Sequence, residues 1–228
     1  MMDKSEQAKL VAETRFAVLA QQQEQRRIGF IGLNSMAQKG QIEFTGSSLM
    51  QQFPISEMAM TANLPVKVYN RAINGYKTKD LIENIGPLVL DIEPSKIFIN
   101  IGTNDLADEC ITDDQLIANY KTIIDAIHDR LPKTKVYMMA YYPVNEDGGS
   151  SQPPYPHFFD LRNNESIDAM NDKLSALARE WGCEWVDAND GLRDAEGKLR
   201  RELTVDGAHM YAHAYRIVFE NLLPYLIE

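Results

Sequence analysis

Five short apolar runs, separated by helical patterns, constrain the fold of this chain more than any other feature of its sequence. The runs occupy residues 41–46, 66–72, 96–102, 135–142 and 183–188. Several are nearly continuous in apolar residues, which is typical of strands in a parallel sheet covered on both faces. Helical periodicity lies between the runs, most clearly after Thr112, where Gln115 completes a capping-box pattern and Pro132 ends the helix. The alternation predicts an α/β fold, doubly wound around a parallel sheet of five strands.

Length and composition favour a single domain that covers residues 1–228. A chain of 228 residues with 44% hydrophobic content can bury one full α/β core. An N-terminal helix is predicted at about residues 4–27, with the biased tract QQQEQRR at its solvated end. Further helices are predicted at 78–85, 162–181 and 212–227.

The charge of the chain argues against binding to a long phosphate backbone. It has 23 Lys and Arg against 33 Asp and Glu, a formal net charge of -10, and no dense basic patch. Since no run approaches the roughly 18 apolar residues of a membrane span, neither a span nor a nucleic-acid partner is expected. The absence of a signal-peptide pattern, together with Cys110 and Cys183 outside any metal-ligand spacing, favours a cytoplasmic location. Secretion stays open, because a trimmed leader would leave no trace.

Polar residues follow the ends of the predicted strands, which is where an open α/β sheet binds its ligands. These segments are Gly46-Ser47-Ser48, Asn74-Gly75, GTND at 102–105, the loop 145–160, and a stretch in which Asp206 and His209 stand three residues apart. The residue types are those of a serine hydrolase.

The chemistry of ester hydrolysis assigns a role to each of these side chains. A serine hydroxyl becomes a good nucleophile when an imidazole removes its proton, and a carboxylate orients that imidazole. Ser48, His209 and Asp206 can fill these three roles. The tetrahedral intermediate also needs hydrogen-bond donors, which the backbone amides of Ser48 and Gly75 and the side-chain amide of Asn104 can supply.

Four separated segments resemble a known superfamily. TGSSL, NRAINGYKT, IGTND and DGAH resemble blocks I, II, III and V of the SGNH or GDSL hydrolases, in the expected order. The flanking text NRAINGYKTKDL and INIGTND is most similar to the branch that contains platelet-activating-factor acetylhydrolase-like esterases.

The resemblance implies a three-layer α/β/α sandwich with a five-stranded parallel sheet of flavodoxin-like type. It implies Ser48 as nucleophile, His209 as base, Asp206 as its orienting acid, and Gly75 and Asn104 in the oxyanion hole. It also implies a cofactor-independent esterase acting on a short acyl group, such as acetyl, of a small-molecule ester of a sugar, lipid or other alcohol. A homodimer is left open.

Two departures from the superfamily pattern leave an alternative function open. Ser47 stands where the superfamily has aspartate, so a neutral hydroxyl is expected to serve the hydrogen bonds of the loop, and Ala72 and Asn74 stand where glycines are common. A catalytically weak binding or scaffold module of the same fold is therefore the alternative to an esterase. The α/β-hydrolase superfamily is disfavoured, because no GxSxG elbow occurs.

Simpler interpretations of the same residues also exist. Gly-Ser-Ser after a strand is often only a turn and a helix cap. His209 and His213 at helical spacing, with Asp206, could form a metal site, but no further ligand cluster is visible and no metal is expected. In the loop 145–160, the aromatic residues Tyr155, Phe158 and Phe159 are expected to form one wall of the substrate pocket, the alternative being a plain surface excursion.

Overall fold

A five-stranded, all-parallel sheet organises the chain in a computed structural model, which describes residues 3–151, 153 and 157–228. The strands are β1 (Ile42–Gly46), β2 (Val68–Asn70), β3 (Lys96–Asn100), β4 (Lys135–Met139) and β5 (Glu184–Val186). Their order across the sheet is β2-β1-β3-β4-β5, and every neighbouring pair is parallel. The five predicted strands are confirmed, but each is shorter than its apolar run, because the run continues as buried backbone beyond the hydrogen-bonded ladder, as at 140–142.

Both faces of the sheet are covered, which explains why its strands are nearly continuous in apolar residues. In β3, Ile97 and Ile99 belong to the core on one face, and Phe98 belongs to the core on the other. Stacked rings run across that second face, with the ring centroids of Phe98 lying 4.6 Å from Phe44 and 4.4 Å from Tyr137. The predicted α/β/α layering is therefore confirmed.

Eight α-helices, all within the described residues, flank and connect the strands. They are α1 (Lys4–Asn34), α2 (Ser48–Gln51), α3 (Ile55–Thr61), α4 (Thr78–Glu83), α5 (Thr103–Leu106), α6 (Asp113–Arg130), α7 (Asn164–Glu180) and α8 (Ala212–Ile227). A π-helical turn at Gly86–Leu90 and a 3-10 turn at Arg201–Leu203 complete them.

Local capping fixes the start of α6, whereas tertiary contacts fix the end of α1. The capping box of α6 forms as predicted, since the backbone N–H of Gln115 donates to Thr112 Oγ1 at 3.2 Å and Thr112 N–H donates to Gln115 Oε1 at 3.0 Å. The N-terminal helix α1 continues beyond the predicted end at residue 27, as far as Asn34. It does so because Phe30 is buried against the domain and the Asn34 amide donates to Pro87 O at 2.8 Å.

A close backbone approach at the end of β1 requires glycine at position 46. In the register of β1 and β3, Gly46 is paired with Asn100. A Cβ on Gly46 would overlap the Asn100 carbonyl oxygen and come within 2.7 Å of Met50 Cγ. The chain can leave the sheet at this point and turn directly into α2 because residue 46 has no side chain.

We expect Gly46→Ala to lower the free energy of unfolding by at least about 3 kcal/mol, because backbone must move to relieve the overlap. Gly40→Ala is the matched control, since Gly40 has φ 74 and a Cβ at this position would meet no heavy atom within 4 Å. Its cost should be only that of the left-handed conformation, about 1 kcal/mol. Urea unfolding of both variants measures the difference, and equal losses would contradict the packing argument.

Candidate active site

The side chains of Ser48 and His209 meet at the carboxyl edge of the sheet. Ser48 is the first residue of α2, and its Oγ lies 3.0 Å from His209 Nε2. Only 4% of Ser48 is exposed, and the residue lines a cleft together with His209. Because α2 follows β1 and His209 lies in the segment before α8, only the folded chain brings the two groups together.

Asp206 holds the imidazole of His209 from the other side. His209 Nδ1 lies 2.7 Å from Asp206 Oδ2, while Oδ1 of the same carboxylate accepts the backbone N–H groups of His209 at 2.8 Å and Ala208 at 3.0 Å. Burial by itself would raise the pKa of Asp206, but these hydrogen bonds lower it to about 2. The carboxylate is therefore ionised at neutral pH, and it directs Nε2 of the ring towards Ser48.

Three hydrogen-bond donors border the cleft beside the Ser48 hydroxyl. Ser48, Gly75 and Asn104 all line it together with His209. The backbone N–H groups of Ser48 and Gly75 have no backbone or side-chain acceptor among the described residues. Asn104 Nδ2 donates one hydrogen to Tyr76 O at 3.0 Å, which leaves its second hydrogen for another acceptor. The cleft can thus accommodate a negatively charged oxygen beside the serine hydroxyl.

A fully buried carboxyl group joins α5, which carries Asn104, to the start of α4, which follows the turn at Gly75. Asp105 accepts the backbone N–H of Thr78 at 3.1 Å and 3.2 Å from its two oxygens, and the Thr78 hydroxyl also donates to it. Asn119 Nδ2 donates to Thr78 Oγ1 at 2.8 Å. Burial raises the pKa of Asp105, and the hydrogen bonds from Thr78 oppose that rise. The sequence interpretation missed this residue, although its place in GTND was the available signal.

The two departures from the superfamily pattern have simple structural outcomes. Ser47 occupies the N-cap position of α2 but makes no capping hydrogen bond, and its buried Oγ has no partner among the described residues. The expectation that its hydroxyl serves the loop through hydrogen bonds is therefore wrong. Neither Ala72 nor Asn74 adopts positive φ; Gly75, at φ 76, is the residue of this turn that does. The turn consequently tolerates both substitutions.

The cleft has a volume of about 850 Å³, and both apolar and charged residues line it. Of the loop residues expected at the pocket, Phe158 lines the cleft and is 7% exposed. Phe159 instead packs beside the Asp206 turn, with its ring 2.7 Å from the position of a Cβ on Gly207. Tyr155 lies outside the described residues. An ion pair between Lys77 and Asp108 also lines the cleft.

His213, the other histidine of the segment, is directed elsewhere. Its Nε2 lies 2.9 Å from Glu202 O rather than beside Asp206. Among the described residues no group of three or more His, Cys, Asp or Glu side chains could hold a metal ion. Within the same residues, no helix has both the length and the apolar character needed to cross a bilayer.

Comparison with known proteins places these features in a wider context. Residues 48–217 match the GDSL-like lipase/acylhydrolase family. A structure from Streptococcus pneumonia, provisionally described as a platelet activating factor, has 28% sequence identity with this chain. The alignment covers 96% of this chain and 99% of that one, and the two structures superpose with a TM-score of 0.85.

Two more distant structures share the fold. A GDSL-like lipase from Bacteroides thetaiotaomicron is 18% identical over 88% of this chain and 96% of its own, with a TM-score of 0.71. The acetyl xylan esterase AlAXEase is 20% identical over 82% of this chain and 99% of its own, with a TM-score of 0.65. A search of curated proteins gave no match.

We expect Ser47→Ala to leave the free energy of unfolding within about 0.5 kcal/mol of the wild-type value, because it removes a buried hydroxyl that has no partner. Thr204→Val is the contrasting control. Thr204 Oγ1 donates to His209 O at 2.8 Å and accepts the N–H of Gly207 at 2.9 Å, so its loss should cost about 1–3 kcal/mol. Urea titrations compare the two, and a large loss for Ser47→Ala would show that its hydroxyl is paired after all.

Proposed function

Because the chain belongs to the GDSL-like lipase/acylhydrolase family, we propose that it is a serine esterase that hydrolyses carboxylic esters through an acyl-enzyme on Ser48. The observation that carries this proposal is the continuous hydrogen-bonded chain from Ser48 Oγ to His209 and on to Asp206. Its order and distances are those required for removal of the serine proton.

In the acylation half-reaction, Ser48 Oγ attacks the carbonyl carbon of the ester while its proton passes to His209 Nε2. Asp206, already ionised, stabilises the imidazolium that forms. The carbonyl oxygen becomes an oxyanion and accepts hydrogen bonds from the N–H groups of Ser48 and Gly75 and from the Asn104 amide. Collapse of this intermediate breaks the ester C–O bond, and His209 returns the proton to the leaving alcohol.

Deacylation repeats these steps with water in place of the serine hydroxyl. The oxygen of water attacks the acyl carbon while His209 accepts one proton from that water. The N–H groups of Ser48 and Gly75 and the Asn104 amide stabilise the second oxyanion. The bond between Ser48 Oγ and the acyl carbon then breaks, and His209 gives the proton to Ser48. The products are the carboxylic acid and the regenerated enzyme, and no step needs a cofactor.

The walls of the cleft support a short acyl group carried by a polar alcohol. Phe16, Leu19, Phe158 and Leu161 form its apolar lining, whereas Lys77, Asp108, Glu109 and Asp160 supply charges at its border. The acetyl preference is supported by the name of one structural relative, an acetyl xylan esterase. Acetylated sugars and short-chain lipid esters are the two substrate classes to compare first.

The alternative, a catalytically weak binding or scaffold module, was suggested by Ser47 in place of aspartate. The geometry argues against this alternative. Ser48 contacts His209, and hydrogen-bond donors surround it, without any carboxylate at position 47. A site kept only for binding would not need an ionised Asp206 behind the imidazole.

Hydrolysis of p-nitrophenyl acetate tests the proposal. The wild-type protein should release p-nitrophenol and react with a fluorophosphonate probe at Ser48, while Ser48→Ala should do neither. His209→Ala should reduce kcat by about a millionfold, because the serine proton then has no acceptor. Asp206→Asn should reduce it less, because an orienting group assists but supplies no reacting atom.

His213→Ala is the internal control for these variants, because His213 is a nearby imidazole directed away from Ser48. Its kcat should stay within about twofold of the wild-type value. The assignment fails if His213→Ala is as damaging as His209→Ala, or if peptide mapping places the probe on Ser47.

Acyl-chain preference tests the role of the loop before α7. Phe158→Ala should raise the rate on butyrate and longer p-nitrophenyl esters relative to acetate, because it opens the apolar wall of the cleft. Phe159→Ala should lower all rates by a similar factor, because Phe159 supports the turn at Gly207 rather than lining the cleft. A uniform effect of Phe158→Ala on every chain length would exclude it from acyl selection.

A further inference from the structure

The N-terminal helix α1 lies outside the matched residues 48–217, yet it packs directly on the loop that contains Gly75. A Cβ on Gly75 would stand 3.0 Å from Gln23 Nε2 and 3.1 Å from Leu19 Cδ2. Leu19 also lines the cleft together with Ser48 and His209. The helix thus borders the candidate active site even though the family match begins only at residue 48.

A hydrogen bond from α1 fixes the peptide unit that carries the Gly75 N–H. Gln23 Nε2 donates to Asn74 O at 2.8 Å across 51 positions of sequence. The C=O of Asn74 and the N–H of Gly75 belong to one planar trans peptide and point in opposite directions. Holding the carbonyl on the helix side therefore holds the N–H towards the cleft. A donor on the carbonyl also polarises the peptide and strengthens its N–H as a donor.

The rest of the turn is fixed in the same manner, peptide by peptide. Gln51, one turn after Ser48 in α2, accepts the N–H of Asn74 at 2.8 Å through Oε1. Arg26 Nε donates to Ala72 O at 2.9 Å, and the N–H of that peptide, on Ile73, donates to Gly46 O at 3.0 Å. Side chains of α1 therefore act on the loop from one side, and the segment around Ser48 acts on it from the other.

We propose that Gln23 is a positioning residue of the oxyanion hole: it orients the Asn74–Gly75 peptide so that the Gly75 N–H meets the oxyanion of the tetrahedral intermediate. The inference rests on the proposed function. It also assigns a role to the tract QQQEQRR, in which both Gln23 and Arg26 donate hydrogen bonds to the loop. Gln23 touches no reacting atom, so its effect must be expressed in the stability of the intermediate rather than in substrate binding.

Gln23→Met provides the test, because methionine keeps the length and helix propensity of glutamine and removes the donor. With p-nitrophenyl acetate, kcat should fall by about tenfold while KM changes by less than about twofold. The Ki of a trifluoromethyl ketone, which forms a hemiketal oxyanion when Ser48 Oγ adds to its carbonyl and His209 takes the proton, should rise by the same factor. Gln23→Lys, which restores a donor, should recover much of both losses.

Gln21→Met is the matched control: it makes the same change two residues away on the exposed part of α1, and it should leave kcat and Ki unchanged. Thermal unfolding of all variants confirms that the compared proteins are folded. A folded Gln23→Met with wild-type kcat and wild-type Ki overturns the proposal and leaves Gln23 a packing contact. The proposed function fails differently, through a wild-type protein that hydrolyses no ester and does not react with the ketone.

Discussion

The parallel register of the sheet is the constraint on which the site depends. In a parallel sheet every strand ends at the same edge, so residues that follow different strands can meet there. The pairing of Gly46 with Asn100 brings the turn after β1 against the turn after β3. Because Gly46 has no side chain, the two backbones approach closely enough for Ser48 and Asn104 to border one cleft. The chemistry of the site is therefore a consequence of strand register.

Register alone does not orient the loops, and buried polar contacts do the rest. Asp105 joins α5 to the start of α4 through Thr78, and Asn104 joins α5 to the turn after Gly75 through Tyr76 O. Each contact satisfies a polar group that would otherwise be costly to bury, so moving a loop would leave donors or acceptors unpaired. Gln23 extends the same principle to α1, a helix outside the matched domain.

The sequence predicted what depends on local pattern and missed what depends on long-range contact. The five strands follow from apolar runs, and the capping box of α6 follows from Thr112 and Gln115, three residues apart. The grouping of Ser48, His209 and Asp206 could be expected, because Ser48 comes directly after a predicted strand and the other two belong to the short motif DGAH. The contact of Gln23 with Asn74 leaves no periodic signal, since it joins a helix face to a loop across 51 positions. Strand ends were missed because burial continues beyond the ladder.

Asp105 and Asp206 show how the environment of a carboxyl group changes its pKa. Asp105 is fully buried, and burial raises its pKa despite the hydrogen bonds from Thr78. Asp206 is partly exposed, and the donors of His209 and Ala208 overcome burial and lower its pKa to about 2. Asp105 acts through the hydrogen bonds that it accepts from Thr78. Such a structural carboxyl group can tolerate burial that disfavours its charged form. A carboxylate behind an imidazole cannot, because its negative charge is what stabilises the imidazolium. The two pKa shifts therefore have opposite directions, because burial dominates at Asp105 and the hydrogen-bond donors together outweigh burial at Asp206.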